Sequence, residues 1–201
     1  MDLTHKLCDC QDESGVLIYP VVQIIDARVA AEVSGHEVWV QHVDPARYGE
    51  FTGWTLPEAV FDAGIKGVFL NHSEHKLKPN ILEGSIARCR EVGLETLVFA
   101  ADVTELREVS KFKPNFVAYE PPELIASEET SVARAKPEII KKAVAAADKY
   151  NLPLLVGAGV KDIDDVKTSL KLGAAGIAVS SAVVLAQDPK EVVMEMAEGF
   201  K

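Results

Sequence analysis

No apolar run in this sequence is long enough to cross a bilayer. The longest, such as Val16–Ile18 and Leu152–Val156, are strand-sized, whereas a spanning helix needs about 20 residues. Positive charge is also short: 21 Lys and Arg face 31 Asp and Glu, a formal charge of −10. Such a chain is a poor partner for nucleic-acid phosphates or an anionic lipid surface, and an anionic substrate has to be held by local groups. Cysteine is scarce and odd in number, three in all, so no disulfide framework is expected. Cys8 and Cys10 are too close in sequence to bridge comfortably, and with His5 they offer too few ligands at suitable spacing for zinc. The thiols are read as reduced. Met1–Gln11 lacks the basic-then-apolar order of a secretory leader, so the cytoplasm is the expected compartment. With no linker or low-complexity tract, residues 1–201 are expected to fold as one domain.

What is present is a rhythm. Short apolar runs rich in β-formers alternate with longer amphipathic segments, the pattern of repeated βα units around a parallel sheet. Seven strands are expected, at Val16–Tyr19, Val38–Gln41, Gly67–Asn71, Thr96–Ala100, Phe116–Glu120, Leu154–Gly157 and Gly176–Val179. Each is nearly continuous in apolar character, as strands buried on both faces are. Between them, Ile81, Leu82, Ile86 and Cys89 share one helical face, and Ile139, Ile140, Ala143, Val144 and Ala147 another. Gly64 and Gly93 fall where left-handed helix ends are wanted, and Asp162 or Asp164 can cap the helix after Val160.

Rhythm alone allows an open doubly wound sheet or a barrel. A glycine-rich dinucleotide fingerprint is missing after the first run, where Tyr19-Pro20-Val21-Val22-Gln23 stands instead. Polar residues gather at strand ends: Gln41-His42, Asn71-His72-Ser73-Glu74, Glu120 and Ser180-Ser181. Barrel enzymes keep their chemistry at the carboxyl ends of the strands, so the α/β fold is read as a TIM-type (β/α)8 barrel.

The run Leu70-Asn71-His72-Ser73-Glu74 resembles the fourth-strand signature of triosephosphate isomerases, and Tyr119-Glu120-Pro121-Pro122-Glu123-Leu124-Ile125 their sixth-strand loop in the short archaeal form. Similar stretches in matching order are Gln41–Asp44, Glu50–Gly53, Ser131-Val132, Ala135–Glu138, Val156–Gly159 and Gly173–Gly176. The resemblance implies an isomerase of dihydroxyacetone phosphate and glyceraldehyde 3-phosphate that needs no cofactor or metal. Such a reaction wants a base that moves a proton between neighbouring carbons and a donor that polarises the carbonyl. Triosephosphate isomerases are themselves the reference case for that division of labour, so the roles rest on the resemblance: Glu120 the base, His72 the donor, with Glu74 and Ser73 in support. It places the substrate phosphate against Ala126, the turn Gly157-Ala158-Gly159 and the helix start at Ser180-Ser181. It also implies a homodimer or homotetramer, because Thr52-Gly53 falls in a loop that enters the partner's site, and it puts His42 near that contact. His5, His36 and His75 read as surface residues.

Three departures from the family pattern are visible. The first strand with its Asn-x-Lys motif has no match, and Met1–Asp12 resembles instead the end of the helix that follows it. An omitted strand, its replacement by Met1–Cys10, and a remnant that no longer catalyses all fit this. The lid after Glu120 reads Ala126-Ser127-Glu128-Glu129 in place of a glycine-rich tip, and His75-Lys76 stands where a basic pair is usual. The competing expectation is a catalytically silent barrel that binds or scaffolds; a Schiff-base aldolase is disfavoured because no strand ends in lysine.

Overall fold

The computed structural model describes residues 2–121 and 137–201. Seven parallel strands pair in chain order: β1 Val21–Val22, β2 Trp39–Val40, β3 Gly67–Leu70, β4 Glu95–Ala100, β5 Phe116–Tyr119, β6 Leu154–Val156 and β7 Gly176–Ile177. Around them run α1 Asp2–Ser14, α2 Ala27–Ser34, α3 Pro57–Asp62, α4 Pro79–Val92, α5 Val103–Ser110, α6 Pro137–Asp148, α7 Ile163–Lys171, the short α8 Ser181–Val184 and α9 Pro189–Ala197.

Because side chains alternate across a strand, the sheet sorts its residues into two layers. Val68, Leu70, Val98, Ala100, Val117, Tyr119, Leu154 and Val156 face the helices and are almost wholly buried in the main core. Trp39, Leu97, Phe99 and Ala118 face the other way, joined by the half-buried Tyr19, Val21, Phe69, Phe116, Leu155 and Ala178. In a flat sheet β2 and β5 would stand about 14 Å apart. The ring centroids of Trp39 and Phe116 are 6.0 Å apart, so the sheet curls and this second layer lines the inside of the curl.

Helix ends follow the signals in the sequence. Gly64 and Gly93 adopt φ of 88° and 89°, a region open to glycine at little steric cost. Asp162 caps α7 by accepting from the amides of Asp164 and Asp165, and Asp102 and Asp188 do the same for α5 and α9.

The expected first strand is displaced. In Val16–Tyr19 the Val16 amide donates to Ser14 Oγ and the Ile18 amide to Gln11 Oε1, so side chains of α1 take up hydrogen bonds that a ladder would otherwise use. Pairing begins only where the Pro20 carbonyl accepts from Trp39. The amino-terminal segment expected to be helical is α1, which carries the buried Cys8 and Cys10. It bridges α9 and α2: Cys10, Leu3 and Leu7 pack with Val183 and Val193, Lys190 reaches Glu13 at 2.6 Å, and Gln11 and Asp12 hold His36 at 2.8 and 3.2 Å. His36 is therefore half-buried rather than a free surface residue.

Candidate active site

β3 ends at Leu70 and the chain turns at once, with Asn71 at φ 59°. The left-handed region costs an ordinary L residue about 1–2 kcal/mol; Asn tolerates it when its amide finds local partners. Here Nδ2 donates to the Phe99 carbonyl and to Glu105 Oε1, both at 2.9 Å, and Oδ1 accepts from the Leu77 amide at 3.0 Å. Glu105 also accepts from the Ala101 amide at 2.6 Å and from Lys76 Nζ at 2.9 Å. Burial raises the Glu105 pKa, yet the Ala101 amide, Lys76 and Asn71 outweigh it and leave the carboxyl below the ordinary glutamate range. A network tied to β4 and α5 thus fixes the residue just before His72.

His72 sits at the carboxyl rim with its ring against the Phe99 ring, edge to face, at 4.8 Å. Its Nε2 lies 3.4 Å from Glu120 Oε1. Its Nδ1 takes the Glu74 amide at 3.3 Å, with the exposed Glu74 carboxylate 3.7 Å away. A nitrogen that accepts a hydrogen bond carries no proton, so this contact assigns the neutral ring a proton on Nε2, the side facing Glu120. Hydrogen bonding to the Glu120 carboxylate raises the His72 pKa above 6.5, with burial working against it.

Glu120 comes from the next strand but one. It follows β5, its amide donates to the Ala100 carbonyl at 2.9 Å, and only 6% of its surface is exposed. Its Oε2 and the Ser73 Oγ are buried with no hydrogen-bond partner among the described residues. An ionised carboxylate left half-satisfied in a dry site is costly, so this pair of atoms marks a place built for something other than stability.

The other candidates lie on the same rim because β6 and β7 run parallel to β5. Gly157 comes so close that a Cβ there would stand 3.6 Å from Glu120 Cβ and from Phe99 Cε1. Its amide donates to the Tyr119 carbonyl at 3.0 Å, so that N–H belongs to the sheet and is not a free anion donor. Ala158 is buried in the main core, Gly159 turns at φ 66°, and Ser180-Ser181 opens α8 exposed to solvent. His42 stands apart from this group, 3.3 Å from Asp44 and with its ring tilted against that of His75 at 4.3 Å, and burial lowers its pKa. Ala126 and the stretches Pro122–Ile125, Ser127–Glu129, Ser131-Val132 and Ala135-Lys136 lie outside the described residues.

Glu105 and the turn at Asn71 were not singled out from sequence as site residues. The signal for Glu105 is present, since Asp102 and Glu105 have the spacing of a helix capping pair. What sequence does not show is that this cap lies beside the exit of β3.

A family model described as triosephosphate isomerase matches residues 2–111 and 90–198. The triosephosphate isomerase of Methanocaldococcus jannaschii is 36% identical over 187 residues, covering 92% of this chain and 85% of the relative. That of Thermoplasma volcanium is 40% identical over 178 residues, covering 89% and 82%. That of Methanopyrus kandleri is 36% identical over 203 residues, covering 99% and 89%.

The chain belongs to the triosephosphate isomerase family. Membership agrees with a parallel α/β sheet curled as in a barrel. The family's Asn-x-Lys strand has no counterpart among the described residues, and β1 and β7 each pair on one side only. Among those residues no lysine or arginine pairs with His72 or Glu120, and Lys76, the nearest in sequence, is held by Glu105.

Proposed function

We propose that the chain interconverts dihydroxyacetone phosphate and D-glyceraldehyde 3-phosphate, with Glu120 and His72 as the proton-handling pair. The observation that carries this is the 3.4 Å approach of His72 Nε2 to Glu120 Oε1 from two separate strands. A substrate that displaces this direct contact gives a proton from carbon to Glu120, while the electrons shift onto the carbonyl oxygen. The His72 Nε2–H gives its proton to that oxygen and the ring takes one back from the neighbouring hydroxyl, so the carbonyl moves to the adjacent carbon, while Glu120 returns its proton to the carbon that first bore the carbonyl. Ser73 Oγ and Glu120 Oε2 find their missing partners on the substrate or its bound water. The phosphate rests on the rim formed by Gly159 and Ser180-Ser181, with Ala158 and Gly157 shaping the turn. The substrate needs no metal or organic cofactor for this chemistry, and the glycolytic and gluconeogenic setting of such a reaction places the protein in the cytoplasm.

In a coupled assay of glyceraldehyde 3-phosphate formation, His72→Gln and Glu120→Asp each lower kcat by about 10²-fold or more. An unchanged rate in either variant removes that residue from the mechanism.

One observation favours a slower enzyme or a binding protein instead: no lysine or arginine forms an ion pair with His72 or Glu120 among the described residues. Loss of a donor to the developing charge typically costs about 10²–10³-fold in turnover. Calorimetry that shows triose phosphate binding, with no turnover in the coupled assay, supports that second reading.

The subunit is proposed to assemble as a homodimer or homotetramer through the loop around Thr52-Gly53. Tyr48, Phe51 and Trp54 are exposed there, Phe51 and Trp54 meet edge to face at 5.4 Å, and Ile25 nearby in the fold is 82% exposed. Sedimentation velocity is expected to give a dimer or tetramer mass; a monomer at all concentrations contradicts it.

A further inference from the structure

Asn71 and Glu105 link the exit of β3 to the start of α5, and the bonds of Glu105 go beyond what its helix needs. In a capping pair the carboxylate three residues into the helix reaches back to the amide of the cap residue. Glu105 instead passes Asp102 and accepts from the Ala101 amide at 2.6 Å. The helix is capped without it, because Asp102 Oδ1 accepts from the amides of Thr104 and Glu105 at 2.7 and 2.8 Å. Glu105 also bonds the turn 71–77: Oε1 accepts from Asn71 Nδ2 at 2.9 Å, and both oxygens accept from Lys76 Nζ at 2.9 Å.

The partners fix the direction of the Asn71 amide. Nδ2 faces two acceptors, the Phe99 carbonyl and Glu105, while Oδ1 faces the Leu77 amide. A reversed amide would set oxygen against oxygen at the first two. Asn71 therefore closes the turn across its ends, and Glu105 holds that turn at Asn71 and at Lys76. Inside it the His75 amide donates to the His72 carbonyl at 2.9 Å, and the Glu74 amide reaches His72 Nδ1 at 3.3 Å. The second contact keeps the proton of the neutral ring on Nε2, the nitrogen 3.4 Å from Glu120 Oε1. A carboxylate on α5 is thus connected, bond by bond, to the tautomer of a ring on the rim.

We propose that Glu105 is a positioning residue for the isomerase reaction: acting through Asn71, it holds the turn 71–77 so that His72 presents Nε2–H to the substrate carbonyl. A carboxylate suits this place because every group bonded to it is a donor. A glutamine would turn its NH2 toward either Asn71 Nδ2 or the Ala101 amide, donor against donor. In a capping box, by contrast, glutamine serves as glutamate does. Glutamine at position 105 therefore separates support of the turn from support of the helix. The kinetic part of the proposal rests on the isomerase reading of the site, whereas the state of the His72 ring can be read with no substrate present.

The test uses the full chain, with nitrogen NMR of the His72 ring at a pH above its pKa and the coupled isomerase assay as readouts. Glu105→Gln is expected to raise the share of rings protonated on Nδ1 by about threefold or more. It lowers kcat by about tenfold or more and keeps KM within about threefold, since the phosphate rim belongs to other strands. Asp102→Ala, which takes the cap from α5 and lowers Tm, leaves the tautomer and kcat near wild type. Asn71→Gly keeps the left-handed turn without the amide side chain and by itself shows the tautomer shift. Adding Glu105→Gln to Asn71→Gly then changes kcat by no more than about twofold. An unchanged tautomer in Glu105→Gln, kcat losses that follow Tm across Glu105→Gln and Asp102→Ala, or additive losses in the double variant overturn the proposal. A wild type without turnover, with the tautomer shift still present in Glu105→Gln, ends the isomerase reading and leaves the link from Glu105 to His72 standing.

Discussion

At the scale of single residues, the state of His72 is set by the Glu120 carboxylate, which favours the charged ring, and by burial, which opposes it. The Glu74 amide holds Nδ1 as an acceptor, while the Glu120 carboxylate beside Nε2 raises the pKa above 6.5. A raised folded pKa means the pair stabilises the fold fully below the unfolded value and loses that contribution as pH rises through the folded pKa. Activity runs the other way. An imidazolium locks onto Glu120 and ties up the base, so kcat/KM is expected to climb with pH through an apparent pKa above 6.5. In Glu120→Gln the His72 pKa, read by NMR titration of the ring, falls back toward 6.5 or below. A ring that titrates at the same pH in the wild type and in this variant refutes the coupling.

At the scale of elements, much of the sheet was legible. The runs at 38–41, 67–71, 96–100, 116–120, 154–157 and 176–179 each contain a strand, because strands buried on both faces carry almost unbroken apolar sequence. The run at 16–19 carried the same signal and failed, since Ser14 and Gln11 of α1 bond its amides before a ladder can. Such a choice depends on which partner is near in space, and a local pattern does not contain it. The same holds for Gly67, which lies under the indole of Trp39: a Cβ there would fall 2.4 Å from the ring. Gly67→Ala is expected to destabilise by about 1–3 kcal/mol through overpacking. Gly176→Ala, whose Cβ would meet Leu155 no closer than 3.5 Å, is expected to stay within about 0.5 kcal/mol. Equal urea midpoints for the two variants contradict this account of the Trp39 packing.

At the scale of the whole molecule, the site exists because a curled parallel sheet brings the ends of β3 and β5 to one rim, with β4 between them supplying Phe99 as a common support. The identities of His72 and Glu120 could be read from short motifs, but their 3.4 Å separation could not. It depends on the curl, on the Asn71 turn and on the Glu105 network, all made of contacts distant in sequence. The central claim is that this meeting point moves a proton on a triose phosphate, and proton exchange with solvent reads it most directly. With dihydroxyacetone phosphate in D2O, NMR is expected to show the wild-type chain placing deuterium on the carbon next to the carbonyl, and Glu120→Gln slowing this by about 10²-fold or more. Incorporation at the same rate in Glu120→Gln, or none by the wild type with substrate bound, would contradict the account.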